Sequence, residues 1–576
     1  MHVVATAGHV DHGKSTLVRA LTGSDPDRLE EERRRGLSIE LGYAWMELDD
    51  GTEVAFVDVP GHQRFLATAL AGVGPVPIAM LVVAADDAWM PQAAEHLAAL
   101  DALGVSHGLL VVTRSDLADP GPALARARAE VDRTSMAGVP GVVVSGRTGA
   151  GLDELRTTLA RVLETVPRPP ADADVRLWVD RRFHIHGAGT VVTGTLPAGT
   201  VAVGDRLEAA DGSGVRVRGI ESLGTPRQRM SGVARVALDL GGRAPDAVAR
   251  GTALVTPGAF APTTAVDVAL TGDGRVPERP LLHLGSALVG VRVRPLGKDF
   301  YRLTLDQPLP LRIGDRALLR DPGSRTLWGV RIIDPMPPGL ARRGAAARRA
   351  EALLDHDGGL AAELRLRGVV RRSTLRRLGA PLEPLPDGAV AAGDWLLGPD
   401  RAAELRTALV AIVRAAGHAG ITDAAAAHEL DLPDTDLLGA ILGPPVVSSG
   451  GRLVLGGASL PASVTAALER LRNHLADAPF AAPTAAELDD LGLDATTVAT
   501  LHREGLALRL APGIILLPDA PDRAVAALSR LTQPFTTSQA RQALGTSRRV
   551  VLPLLAHLDA TGRTLRLPDD TRRLRG

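Results

Sequence analysis

The chain has 576 residues, too many for a single hydrophobic core, so about four or more domains of ~100 to 150 residues each are expected. Its formal net charge of −1 excludes a globally basic nucleic-acid binder, and any such partner must meet a local patch. The absence of cysteine excludes disulfides and thiolate metal sites and favours a reducing compartment. Without a charged leader or an apolar run of ~20 residues, a soluble cytoplasmic protein is expected.

A glycine-rich loop near the N-terminus follows an apolar run and precedes a helix-forming segment. Its residues are Gly8, His9, Val10, Asp11, His12, Gly13, Lys14, Ser15 and Thr16. In such a P-loop the backbone N–H groups surround a phosphate, Lys14 reaches the β and γ oxygens, and the Ser15 hydroxyl binds Mg²⁺. Lys14 is one of two lysines, whereas 63 of the 65 basic residues are arginine, which indicates a site that needs a compact ammonium group.

Two further segments have the spacing of a nucleotide switch. The apolar segment 54–57 leads to Asp58 and Gly61; Asp58 is predicted to hold Mg²⁺ through water, and the Gly61 N–H to contact the γ-phosphate. Ser38, at the end of an arginine-rich segment, is predicted to complete the Mg²⁺ ligands. For Ser38 considered alone, an exposed basic loop is the alternative.

The base is predicted to contact two loops that follow apolar strands. Guanine-binding proteins carry Asn-Lys-x-Asp at the first, where this chain has Thr113, Arg114 and Asp116. The Asp116 carboxylate can accept hydrogen bonds from guanine N1 and N2, whereas Thr113 lacks the amide of asparagine. A weaker match to the second loop consists of Ser145, Gly146 and Arg147. The sequence therefore favours guanine over adenine.

Alternating strands and helices predict a multidomain chain that begins with an α/β P-loop domain, a doubly wound, mostly parallel sheet over 1–171. Short strands with glycine turns then predict two β-barrels, over 172–258 and 259–340. A period of about 60 residues follows, in which helical stretches end in hairpins, and it predicts four tandem winged-helix (α+β) domains. Their boundaries are 341–398, 399–457, 458–519 and 520–576.

The last of these segments is the most basic. From Arg541 to Gly576 it holds eight arginines and three aspartates, a net charge of +5. Phosphate contacts are expected from Arg541, Arg548, Arg549, Arg563, Arg566, Arg572 and Arg573. Thr546 and Ser547 are expected to cap the helix, and Pro553 to bend it or shorten its start. An arginine-rich solvated tail is the alternative reading.

The GTP-binding segments together resemble the translational GTPases of the elongation factor Tu type. The string His186-Gly187-Ala188-Gly189-Thr190 resembles the second domain of these factors. The resemblance implies that His62 is the catalytic histidine that orients the attacking water, beside an apolar gate of Val10 and Ile39. It also implies GTP/GDP and Mg²⁺ as ligands and hydrolysis stimulated by the ribosome.

A Tu-type body followed by winged helices is similar to the bacterial selenocysteine-specific elongation factors (SelB). The particular matches are segments 5–14, 39–43 and 113–116, and segment 535–558 resembles the terminal RNA-binding domain of that family. The resemblance implies a monomeric cytoplasmic factor that delivers selenocysteyl-tRNA to ribosomes at UGA codons while 520–576 binds an mRNA hairpin. It also implies a selenocysteine pocket of Tyr43, Arg181 and Arg235, with Arg182 left open as the alternative to Arg181. Positive charge there would select an anionic selenolate over neutral serine.

Two other functions fit parts of the sequence. A general Tu-like tRNA-delivering GTPase, or a relative of the initiation factors, would account for the body but not for the winged-helix arm. A nucleotide-gated DNA-binding regulator would account for the winged helices but not for the two barrels.

Overall fold

The computed structural model describes residues 1–26, 38–62, 65–74, 76–87, 89–185, 189–209, 211–242, 248–324, 326–417, 420–456 and 460–575. The predicted segments Arg33–Leu37 and His186–Ala188 lie outside these residues. The chain forms two compact units, Met1–Pro386 and Asp387–Gly576. No helix in the described ranges has the length and apolar content of a membrane span.

The first unit begins with a six-stranded sheet that carries helices on both faces. Its strands are β1 (His2–Ala7), β2 (Gly42–Glu47), β3 (Glu53–Asp58), β4 (Ile78–Ala84), β5 (His107–Thr113) and β6 (Gly141–Val143). Its helices are α1 (Lys14–Thr22), α2 (Leu66–Val73), α3 (Pro91–Leu103), α4 (Pro120–Val131) and α5 (Leu152–Thr165). The order is β2-β3-β1-β4-β5-β6, and only β2 runs antiparallel to its neighbour. Apolar cores cover both faces, as the continuous apolar runs predict.

The first barrel closes through the pairing of β10 with both β11 and β15. Its ring also contains β7, β8 and β14, and β12 extends β11 outside the ring. The strands are β7 (Arg176–Ile185), β8 (Gly189–Leu196), β9 (Thr200–Ala202), β10 (Arg206–Glu208), β11 (Gly214–Ser222), β12 (Thr225–Arg227), β13 (Arg229–Ser231), β14 (Ala234–Gly242) and β15 (Ala253–Val255). Alternation of buried and exposed residues along β11 and β14 fills the interior with valine, leucine and isoleucine.

The second barrel is a closed ring in the order β16-β19-β18-β17-β20-β21. Its strands are β16 (Pro262–Thr271), β17 (Leu281–Leu284), β18 (Ala287–Pro295), β19 (Phe300–Pro310), β20 (Arg316–Arg320) and β21 (Leu327–Asp334). The elements α6 (Ala345–Leu353), α7 (Leu360–Arg367), β22 (Val369–Arg371) and α8 (Arg372–Leu378) follow. Ala350 and Leu353 of α6 pack on Phe300 and Ile333 of the barrel. The two predicted barrels are confirmed.

Charged side chains also join α6 to the second barrel. Both Arg302 and Arg349 donate to the fully buried Asp267 carboxylate, with N···O distances of 2.7 and 2.6 Å, and Arg349 also donates to Asp334. Arg349 is 7% exposed. A buried carboxylate is tolerated only when cations and hydrogen bonds replace its lost hydration, and these guanidinium groups do so.

The same network continues into α7. Arg367 donates to Asp334 at 2.7 Å and to the buried Glu363 at 2.6 Å. The other Glu363 oxygen lies 2.6 Å from His356 Nε2. The first helices after the barrel are therefore attached to it by alternating charges as well as by apolar contacts.

In the second unit, groups of helices end in β-hairpins. The elements are β23 (Val390–Ala392), β24 (Trp395–Leu397), α9 (Pro399–Ala415), α10 (Asp423–Glu429), α11 (Asp436–Ile441), β25 (Val446–Ser449), β26 (Arg452–Leu455), α12 (Ala462–His474), α13 (Ala485–Asp490), α14 (Ala495–Arg503), β27 (Leu508–Ala511), β28 (Ile514–Leu516), α15 (Ala520–Leu528), α16 (Thr537–Ala543), α17 (Arg548–Ala560), β29 (Thr564–Arg566) and β30 (Arg572–Leu574). One continuous apolar core runs from Val464 to Leu558 and joins the last two helix groups. The count of four winged-helix domains and their boundaries stay predictions.

The structure contradicts a shortened start of α17 and side-chain capping by Thr546 and Ser547, whereas a bend at Pro553 stays a prediction. The helix begins at Arg548 and continues through Pro553 to Ala560, so proline does not shorten its start. Pro553 lies in the second turn, where its missing N–H costs a single hydrogen bond. Ser547 is at the N-cap position but its side chain makes no capping bond, and the Thr546 hydroxyl donates to the Phe480 carbonyl.

We expect Arg349→Met to lower the free energy of unfolding of this part of the chain by about 3 kcal/mol, because two buried carboxylates would each lose a cation. The urea midpoint measured by circular dichroism checks this. The neighbouring exposed Arg348→Met is the matched control and should change stability by less than about 0.5 kcal/mol. Equal losses in the two variants would contradict a role for the buried network.

Candidate functional site

The nucleotide site lies at the carboxyl ends of β1 and β3, where the loop of residues 8–13 leads into α1. Gly8 and Gly13 have φ of +133° and +78°, which a residue with a side chain adopts only with strain. The Lys14 ammonium donates to the carbonyls of Gly8 and His9 at 3.1 and 2.7 Å. The loop thus curves around its own lysine, as the P-loop interpretation predicts.

The three predicted metal ligands lie together. Ser15 Oγ donates to Asp58 Oδ2 at 2.6 Å and is 3.0 Å from Ser38 Oγ. The second Asp58 oxygen accepts a hydrogen bond from Thr6 at 2.7 Å. This donor set of two hydroxyls and one carboxylate fits Mg²⁺, which favours oxygen ligands and takes the rest from water and phosphate. The described residues contain no cluster of three or more acidic, histidine or cysteine side chains able to hold a metal.

Gly61 comes close to the P-loop. A Cβ atom added to Gly61 would lie 2.5 Å from both Lys14 Nζ and the Val10 nitrogen, so only glycine fits. The cavity of about 590 Å³ at this point is lined by Val10, Lys14, Ser15, Ser38 and Gly61, among others.

His62 and Ile39 are not among the described residues that line this cavity. The His62 ring is half-buried and lies 6.0 Å from the Phe65 ring. The structure therefore does not bring the predicted catalytic histidine to the cavity, and its role stays a prediction.

The predicted base-binding residues meet at the other end of the cavity. Ser145 Oγ donates to Asp116 Oδ1 at 2.6 Å and accepts backbone N–H groups from Arg147 and Thr148. The Ser145 hydrogen bond lowers the pKa of Asp116, which keeps the carboxylate ionised and able to accept hydrogen bonds from a base. Asp116, Gly146 and Arg147 line the cavity.

Thr113 and Arg114, which depart from the usual sequence, both connect the base loop to the P-loop. Thr113 Oγ1 donates to the His12 carbonyl at 2.7 Å and to Val83 O at 3.2 Å. Arg114 donates to the Asp11 carbonyl and pairs with Asp86. The Thr113 hydroxyl therefore connects the base loop to the P-loop, although this position lacks the usual asparagine amide.

Two histidines of this region point away from the cavity. The His12 ring is 1% exposed and lies 3.4 Å from Val82 O and 3.3 Å from Asp87. His96, from α3, accepts the Gly8 N–H through Nδ1 at 3.0 Å. Sequence reasoning missed His96 because 88 residues separate the partners, and only its place in a buried helix gives any signal.

A second predicted site forms between the α/β domain and the first barrel. The guanidinium carbons of Arg235 and Arg181 lie 4.0 and 4.9 Å from the centre of the Tyr43 ring. A cavity of about 150 Å³ is lined by these three residues and by Phe183 and Thr193, among others. The structure brings together Tyr43, Arg181 and Arg235 as the resemblance implies.

A break in strand register settles which arginine faces this cavity. The pairing of β7 with β8 shifts between Val179 and Arg181, which turns Arg181 toward Tyr43, whereas Arg182 is exposed. Arg181 also donates to the Leu41 carbonyl and lies 3.1 Å from Glu40. The segment that carries Ser38 thus also contacts the pocket arginine.

Sequence reasoning missed Asp180, which pairs with the pocket residue Arg235. Asp180 is 5% exposed and accepts a hydrogen bond from Thr193 at 2.8 Å. The Tyr43 hydroxyl is buried without a hydrogen-bond partner among the described residues, and burial raises the pKa of Tyr43. The pocket therefore contains two arginine cations, of which Arg235 is held by Asp180, and a tyrosine whose buried hydroxyl has no partner among the described residues.

The seven predicted phosphate-binding arginines separate into three groups. Arg541, Arg548 and Arg573 are exposed, and no ion pair or side-chain hydrogen bond is assigned to them within the described ranges. Arg563 and Arg566 form ion pairs at the surface with Asp522 and Asp570.

The other two arginines hold the fold together. Arg572 is 6% exposed and donates to Asp559 at 2.9 Å, so the prediction that it contacts RNA is corrected. Arg549 donates at 2.8 Å to the carbonyls of Ala482 and Pro483 in the preceding helix group. The charge count could not distinguish these two structural arginines, of which Arg549 is itself exposed, from the other five.

Comparison with known proteins agrees with this geometry. The family described as Elongation factor Tu GTP binding domain matches residues 1–165, and Elongation factor SelB, winged helix, matches residues 526–574. The selenocysteine-specific elongation factor of Escherichia coli (strain K12) is 38% identical over 59% of this chain and 56% of its own length. Elongation factor Tu 2 of Streptomyces avermitilis is 33% identical over 58% of this chain and 91% of its own length. A crystal structure of a bacterial selenocysteine-specific elongation factor, EF-Sec, has a TM-score of 0.75 at 25% identity and covers both chains fully.

The P-loop sheet followed by two barrels defines a translational GTPase, a class that uses GTP, GDP and Mg²⁺. The chain belongs to this family, and its similarity to selenocysteine-specific elongation factors extends from the GTP-binding domain to the last winged helix. The expected GTP-binding domain and winged-helix region are thereby confirmed. The chain spans slightly more than half the length of the E. coli relative that it matches.

We expect Asp116→Asn to weaken GTP binding by about a hundredfold and to favour xanthosine triphosphate instead. The carboxylate accepts from guanine N1 and N2, whereas an amide can donate to the carbonyl that xanthine carries at position 2. Competition between the two nucleotides for a fluorescent GDP analogue measures the change. An unchanged preference for GTP would contradict the placement of the base at Asp116.

Proposed function

We propose that this protein is a GTP-dependent elongation factor that delivers selenocysteyl-tRNA to the ribosome at UGA codons. In this proposal residues 520–576 bind a selenocysteine insertion hairpin in the mRNA, and the protein acts as a monomer in the cytoplasm. The observation that carries the proposal is the pocket in which Arg181 and Arg235 lie over Tyr43.

The chemistry of this pocket suits an aminoacyl group that bears a negative charge. Selenocysteine is mostly a selenolate at neutral pH, whereas the serine hydroxyl stays neutral. A selenolate beside Arg181 would gain charge-assisted hydrogen bonds that serine cannot make to the same degree. The Arg235 guanidinium is held by Asp180, so it contributes a cation of fixed position rather than a mobile one.

On the nucleotide side, Ser15 and Ser38 would bind Mg²⁺ directly and Asp58 through water. We infer that Lys14 and the Gly61 N–H contact the γ-phosphate and that His62 orients the water that attacks it, giving GDP and phosphate. Val10 and Ile39 would form the apolar gate that His62 must pass. Ribosome binding is the step that would bring His62 to the cavity.

We expect Arg181→Ala in the GTP-loaded protein to weaken binding of selenocysteyl-tRNA by about 10- to 100-fold, the range for a lost charge-assisted hydrogen bond. Binding of the same tRNA charged with serine should change by less than about threefold. Equilibrium titration with the two aminoacylated tRNAs measures both constants.

Arg182→Ala is the matched control, because Arg182 is the exposed neighbour on the same strand and should leave both affinities unchanged. Arg181 is preferred to Arg235 for this test because removal of Arg235 would leave the buried Asp180 without its cation. Equal losses with selenocysteine and serine would overturn the pocket assignment, and failure to bind either tRNA would overturn the delivery function.

For the arm, we expect Arg548→Ala to weaken binding of the mRNA hairpin and to reduce the slope of log K against log salt by about one. The exposed Arg548 begins α17, and Arg573 on β30 would contact phosphate similarly. Arg406→Ala, an exposed arginine on α9, removes the same charge from another helix group and should leave the slope unchanged. Stronger binding to duplex DNA than to the RNA hairpin would favour the DNA-binding regulator instead.

A further inference from the structure

The peptide groups of Gly8 connect two parts of the nucleotide site. Its N–H donates to His96 Nδ1 at 3.0 Å, and its carbonyl accepts from the Lys14 ammonium at 3.1 Å. Gly8 has φ of +133°, and a Cβ at this position would lie 2.2 Å from Val82 O. The loop therefore depends on hydrogen bonds made by Gly8 itself, since no side chain is possible there.

His96 is built to accept a hydrogen bond. Its ring is 6% exposed, and burial, followed by the nearby charge of Lys14, lowers the pKa of His96 to about 3. The imidazole is therefore neutral at physiological pH. With Nδ1 accepting the Gly8 N–H, the ring proton lies on Nε2.

The helix that carries His96 is held firmly on two sides. Leu97 and Leu100 of α3 lie in the core of the α/β domain. Ala99 packs with Leu66, Leu70 and Leu318, the last of these from β20 of the second barrel. His96 thus presents its acceptor to the P-loop from an element that cannot easily follow a displaced Gly8.

We propose that His96 is a positioning residue of the nucleotide site, which holds the first P-loop glycine in place and thereby slows the release of bound GDP. His96 does not contact the nucleotide and acts through Gly8 and Lys14. Without the acceptor, the Gly8 N–H would be buried and unsatisfied, and the loop would relax to find another partner. The inference rests on the nucleotide site alone, so it can be tested without tRNA and stands or falls independently of the delivery function.

The test is the dissociation rate of a fluorescent GDP analogue from the full-length protein, chased with excess unlabelled GDP. His96→Leu fills a similar volume without an acceptor and should release the analogue about ten times faster. His96→Asn places a carbonyl oxygen where Nδ1 lies and should restore the rate to within about twofold of the unmodified protein.

The comparison of His96→Leu with His96→Asn separates positioning from mere stability. Asparagine leaves a small cavity, so if His96 only filled space, His96→Asn would be the more disturbed variant in both GDP release and thermal unfolding. His107→Leu, at the start of β5, controls for removal of a histidine and should leave release unchanged. Equal release rates for the leucine and asparagine variants, or a leucine variant that releases GDP at the unmodified rate, would overturn the proposal.

Discussion

The structure depends most on the close approach of two loops, those that follow β1 and β3. Asp58 receives hydrogen bonds from Thr6 and Ser15, and Gly61 comes so near Lys14 that no side chain fits. A γ-phosphate and its metal ion must be accommodated between these groups, so their spacing couples the ligand to the position of both loops.

Segment 38–43 connects this point to the second site, since Ser38 touches Ser15, Glu40 and Leu41 contact Arg181, and Tyr43 lies beneath Arg235. Six residues thus connect the predicted metal site to the predicted aminoacyl pocket. A change in the nucleotide could therefore reach the pocket through this short segment.

Arginine serves several different purposes in this chain, and composition cannot separate them. Arg349 and Arg367 neutralise buried carboxylates, Arg549 binds backbone carbonyls, and Arg572 stabilises the last hairpin through Asp559. Such side chains are planar donors that satisfy several acceptors at once, so they suit buried networks where a lysine would leave acceptors unpaired. The retention of Lys14 among so many arginines is consistent with this contrast, because a loop that curves around one ammonium has no room for a planar guanidinium.

Local patterns in the sequence predicted the sheet, both barrels and most of the nucleotide site, because each of these rests on periodicity or on short fixed spacings. The residues that were missed are paired over long separations: Gly8 with His96, His12 with Asp87, and Arg235 with Asp180. Nothing in a single sequence indicates which buried histidine on a helix meets which loop, since that depends on how the elements pack. The choice between Arg181 and Arg182 was undecidable for a related reason, because a one-residue break in register reverses which face of a strand a side chain occupies.

In the terminal segment 520–576, the packing of whole elements decides which side chains reach the surface. Phe535 is the one aromatic residue of Phe, Tyr or Trp type in 520–576, and it is fully buried, while its backbone pairs with Arg572. Proteins that recognise single-stranded RNA usually stack unpaired bases on exposed aromatic side chains. The buried Phe535 ring cannot serve in this way. The continuous core from Val464 to Leu558 also joins the last two helix groups, so α17 and its hairpin share one apolar core with the preceding group. If this segment binds an RNA hairpin as proposed, its contacts would therefore come from exposed guanidinium groups placed against the folded RNA backbone.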